Sequence, residues 1–144
     1  MKEENFKNDY QPRMLVGTDD FKKLLLNSDV FVDKSLLVKD IIEDSGDVIL
    51  ITRPRRWGKS LNIDMLRKFF EIEVDGKGTP LPPEQKVNNK LFLGGIVDLG
   101  FDETKELKAL KITNITSSMK RQGQFPVISI SQNLRYEKKN GTLC

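Results

Sequence analysis

The sequence predicts an α/β protein, a partial doubly wound core with a truncated parallel sheet and flanking helices. Three observations point there. Two short runs, "DVILIT" at 47–52 and "FPVISIS" at 125–131, are apolar without polar alternation, as strands buried on both faces are. Helical spacing of apolar residues surrounds them. The order, two helices, a buried strand, a loop, a helix, further loops and a second buried strand, suits the opening of a doubly wound domain.

Each element has its own signal. "GTDDFKKLLLNSD" at 17–29 reads as a short helix capped by Thr18 or Asp19, with Phe21, Leu24 and Leu25 inward. "VFVD" at 30–33 suits a short strand. "KSLLVKDIIEDSG" at 34–46 reads as an amphipathic helix burying Leu36, Leu37, Ile41 and Ile42 and stopping at Gly46. "KSLNIDMLRKFFEIE" at 59–73 repeats Leu61, Met65, Leu66, Phe69 and Phe70 at three and four residues, so a helix is expected. Two glycines and three prolines make "VDGKGTPLPP" at 74–83 a loop. A short helix and a turn at Gly94-Gly95 follow, then a helix over 102–112 and a polar connection at 113–124. Residues 1–13 read as a disordered or loosely packed arm, 14–131 as the domain, and 132–144 as a divergent tail.

Composition narrows the chemistry. The chain has 144 residues, enough for one small core. Its 24 Lys and Arg against 21 Asp and Glu leave a net charge of +3, too small to argue for nucleic acid by itself. One cysteine, Cys144, excludes an internal disulfide framework, and the absence of histidine excludes His-based acid–base chemistry and His metal ligation. No apolar run is long enough to span a bilayer, and no signal-peptide pattern opens the chain, so a cytoplasmic location is expected.

The chemistry concentrates at "DVILITRPRRWGKSLNIDMLRKFF", residues 47–70. An apolar strand, a loop ending in Gly58-Lys59-Ser60 and an amphipathic helix have the layout of a phosphate-binding loop. Gly58 lets the backbone approach a phosphate, Lys59 reaches the β- and γ-phosphates, and the Ser60 hydroxyl ligates Mg²⁺. Backbone N–H groups of the 55–61 segment, through Leu61, assist. Arg53 stands where such a loop opens with glycine; Pro54 biases it toward extended geometry. Arg55 and Arg56 add charge near a triphosphate or form a solvated basic loop. Trp57 stacks on a base or wedges the loop against the sheet. Asp33 reads as an N-cap, and Asp98 is a poor match to the acidic end of a Walker B strand.

These residues resemble the N-terminal core of the bacterial AAA-ATPase-like family. "FVDKS" at 31–35 matches the family's "DKT" segment. Residues 52–61 match "TRPRRFGKTL", with Trp57 for Phe and Ser60 for Thr, and "GQFPVISIS" at 123–131 resembles its "GkyPVIflS" strand. Arginine at the position of Arg53 is normal there. The resemblance implies a P-loop NTPase fold, ATP as nucleotide, and often a C-terminal restriction-endonuclease-like domain. The Walker B segment that should follow residue 131 is not in the chain, which reads as a truncation, so binding without hydrolysis is expected. Self-association that completes the sheet is a further expectation. The alternatives are an interaction module that contacts nucleic acid or protein through Arg53, Arg55 and Arg56, and an inert product.

Overall fold

The computed structural model describes residues 11–52, 54, 57–100 and 103–130. The tail at 132–144, and most of the arm, lie outside them. Among the described residues five α-helices form, α1 (Phe21–Asn27), α2 (Leu37–Glu43), α3 (Lys59–Phe70), α4 (Asn88–Leu93) and α5 (Thr116–Met119), with two short 3-10 helices. Two strands, β1 (Gly95–Gly100) and β2 (Glu103–Leu107), make an antiparallel hairpin in which Gly95 faces Leu107 and Val97 faces Lys105.

The core is aromatic at its centre. Phe92 of α4 stacks on Phe21 of α1 at 5.4 Å and meets Phe69 of α3 edge-on at 5.2 Å. Val38 from α2, Met65 from α3, and Val97 and Leu107 from the hairpin close around them. α1 starts as its sequence suggests, although its cap is the neighbouring residue: the Asp20 carboxylate accepts the Lys23 N–H at 2.8 Å. In α2 the fully buried residue is Val38, while Leu36 is exposed. Leu37 and Ile42 pack half-buried against the core as expected, and Val38 joins them in place of Leu36, which lies at the N-cap.

Polar groups fasten the periphery. The Asp33 carboxylate accepts backbone N–H groups of Ser35 at 2.8 Å and of Lys111 at 2.7 Å. The buried Ser35 hydroxyl accepts the Ile112 N–H at 3.1 Å. Asp33 thus does more than cap a helix; it ties two loops together. At the chain's start, Arg13 and Asp29 exchange backbone and side-chain hydrogen bonds, which anchors the end of the expected arm.

Three expectations need correction. The parallel sheet is not formed among the described residues. In the first apolar run Val48 and Leu50 are 87% and 83% exposed, and in the second Ile128 and Ile130 are 88% and 85% exposed. An all-apolar run becomes a buried strand only when neighbours pair its backbone and cover both faces. Of the described residues in these two runs, Phe125 alone bridges, in parallel, to Glu71. Second, "VFVD" stays irregular. Third, where a helix is expected over 102–112 the described residues form β2 and then, from Lys111, a short 3-10 helix, because Lys105 and Leu107 pack inward on alternate positions opposite β1. Gly94 makes that hairpin possible: its φ is +79°, and a Cβ there would stand 2.6 Å from the Leu107 carbonyl oxygen.

Truncating Phe92 to alanine should cost about 3–5 kcal/mol in urea unfolding, since it removes the ring shared by three helices. Asp33 gives a pH test. Partial burial disfavours its charge, but hydrogen bonds from Ser35 and Lys111, with the Lys111 charge, outweigh that and hold its carboxyl below the ordinary 3.8. Its contribution is therefore complete above pH 3.8 and is lost as the pH falls through the lower folded value. Asp33→Asn should flatten that acid limb of the stability curve.

Candidate functional site

The site is the N-terminus of α3. This is the longest helix, twelve residues, and its amphipathic repeat buries Asn62, Met65 and Phe69. Gly58 is its N-cap, with φ +72° and ψ +27°, a left-handed conformation that costs an L-residue roughly 1–2 kcal/mol. No heavy atom lies within 4 Å of where a Cβ would sit at Gly58. Backbone conformation, not crowding, is what selects glycine here.

The first intrahelical bond is Asn62 N–H to the Gly58 carbonyl, at 2.9 Å. The N–H groups of Lys59, Ser60 and Leu61 therefore have no partner within the helix, and no side chain caps this end. Together with the positive end of the helix dipole they form a set of donors suited to an anion.

Lys59 and Ser60 are exposed. Ser60 opens on a cleft of about 390 Å³ shared with Asp19, Asp20, Asp64 and Arg67. Two of those carboxylates already have work. Asp64 accepts the Phe21 N–H at 2.8 Å and pairs with Arg67 at 2.6 Å, which pins the start of α1 against α3. Asp20 caps α1. Trp57 is 58% exposed, so it does not wedge the loop against a sheet. Half-buried Leu61 lines a separate cavity with Gly58. Arg53, Arg55 and Arg56 lie outside the described residues. Asp98 sits on β1, opposite Thr104, and is not among the residues lining the Ser60 cleft.

Sequence reasoning missed Asn62, which is buried beside the loop. Its position between Leu61 and Ile63 carries no signal; packing of α1 and residues 30–34 buries it.

Residues 15–80 match the family model described as predicted AAA-ATPase, AAA-ATPase-like. That segment carries α1, α2, the loop and α3, and is similar to an AAA-ATPase-like domain. No curated protein and no solved structure matches the chain. No helix among the described residues is long and apolar enough to cross a membrane.

Gly58→Ala should destabilise the protein by about 1–2 kcal/mol through backbone strain alone. Urea unfolding checks this; Gly58→Asn, which tolerates the left-handed region better, should recover part of the loss.

Proposed function

We propose that the chain binds ATP with Mg²⁺ through the loop that closes on Gly58-Lys59-Ser60, within a P-loop type of fold. The observation that carries this reading is the left-handed Gly58 at the uncapped start of a twelve-residue helix. Free N–H groups of Lys59, Ser60 and Leu61 hold phosphate oxygens. The Lys59 ammonium neutralises the β- and γ-phosphates, and Arg55 and Arg56 add charge. Ser60 supplies a hard oxygen ligand of the kind Mg²⁺ takes, and Trp57 has an open face for the nucleotide. The ion, when bound, neutralises phosphate charge. The match of residues 15–80 to an ATPase family supports the same reading.

The neighbours of Ser60 support binding without turnover. Asp20 and Asp64 are engaged as caps, Asp19 is solvent-exposed, and none of them is assigned to orient an attacking water. Calorimetry with Mg-ATP tests the proposal. Binding should weaken at least about tenfold in Lys59→Ala, given what a hydrogen bond to a charged group contributes, and phosphate release should stay at background. Equal binding by wild type and Lys59→Ala would remove the loop from consideration.

The exposed faces of the two apolar runs favour a compatible second reading, self-association that completes a sheet. Light scattering over a concentration series should show dimers, reversed by Ile128→Lys. A monomer mass at every concentration would refute it.

A further inference from the structure

Trp57, the one tryptophan of the chain, is 58% exposed. Among the described residues its ring meets no other ring and its indole N–H donates no hydrogen bond. An aromatic side chain of this size buries roughly 150–250 Å² when it is packed into a core. Much of that burial is forgone here.

The next residue, Gly58, lines an apolar cavity of about 160 Å³. Phe21 and Leu24 of α1, Phe31 and Val32 of the following segment, and Leu61 and Met65 of α3 form most of the wall. Val32 is exposed, so the cavity opens to the surface at its rim. Close-packed interiors leave few voids of this size. An apolar cavity of roughly 150 Å³ stays dry and takes a benzene ring. This one therefore has room for the six-membered ring of an indole, with the pyrrole ring at the mouth. A buried indole N–H needs an acceptor, and the Asn62 amide oxygen in the wall is one.

The cavity and the unfilled ring are one residue apart. Adjacent Cα atoms lie about 3.8 Å from one another, so the Trp57 backbone already stands at the rim. Gly58 is the hinge between them. It has no Cβ to restrict its φ, and no heavy atom lies within 4 Å of where a Cβ would sit.

We propose that Trp57 is a latch with two positions: the exposed one, and one in which its indole fills the cavity between α1, α3 and residues 30–32. Docking gains apolar burial and fills a void. It is opposed by moving the Gly58 backbone out of the left-handed well that starts α3. Because Gly58 is also the N-cap of α3, the latch turns the same backbone that aims the N–H groups of Lys59 and Ser60. The latch is a property of the free chain; only its consequence for an anion at those donors rests on the phosphate-loop reading.

With one tryptophan in the chain, a fluorine label on the indole gives a single NMR probe. The full chain should show two exchanging states, as a second resonance or as relaxation dispersion, with the docked state at about 1% or more. Benzene titrated into the same sample should shift the Met65 methyl resonance and suppress the exchange, because it competes for the cavity. Leu61→Phe, which fills the cavity from α3, should suppress the exchange without benzene. Where that variant unfolds, the benzene titration of the unaltered chain decides alone. A single fluorine resonance without dispersion would overturn the proposal. So would exchange that persists unchanged when benzene is bound, since the indole then moves elsewhere, and so would a Met65 methyl that benzene leaves unshifted, since the cavity then takes no ring. Calorimetry with Mg-ATP separates the two readings. Exchange without nucleotide binding keeps the latch and removes the phosphate loop; nucleotide binding without exchange does the reverse.

Discussion

The packing of Phe92 against Phe21 and Phe69 is the contact on which the rest of the molecule depends. Its three rings come from α4, α1 and α3, elements far apart in sequence. Without it, a seven-residue helix such as α1 has too few residues to hold its own shape. With it, α1 lies along α3, and the Asp64 carboxylate can take the Phe21 N–H at 2.8 Å. The apolar interaction sets the approach of the two helices, and the polar one fixes their relative slide. The start of α3 and the wall of the adjoining cavity inherit their positions from that pair of contacts.

Local signals in the sequence located the parts of the site that depend on local physics. α3 was legible because three- and four-residue spacing and a GKS start agree. α1 was legible with its buried Phe21, Leu24 and Leu25, although in "TDD" three consecutive residues can cap and the chain uses the third. What failed was non-local. Over 102–112, Leu107, Leu110 and Ile112 fit a helix as readily as a strand, and pairing with β1 decided the matter. The runs at 47–52 and 125–131 announce their hydrophobicity but not the neighbours that a sheet needs. Asn62 was invisible for a similar reason. A polar residue on an amphipathic helix reads as solvent-facing, and only the packing of α1 and residues 30–34 encloses it.

The site combines two kinds of environment within one turn of helix. Lys59 and Ser60 face water, while Asn62 faces an apolar cavity. Gly58 joins the two, because its left-handed backbone swings the chain from the preceding loop into α3.

The long reach of Asp33 has a consequence for how the molecule is made. Its carboxylate closes on the backbone of Lys111, 78 residues later, and Ser35 closes on Ile112. The core likewise draws on Leu91, Phe92, Val97 and Leu107, all beyond the segment at 15–80. During synthesis, the helices of that segment emerge from the ribosome well before the residues that bury them. Their apolar faces must wait in solution until residue 112 is free. The helices of that segment therefore consolidate together with the residues that bury them rather than in order of appearance.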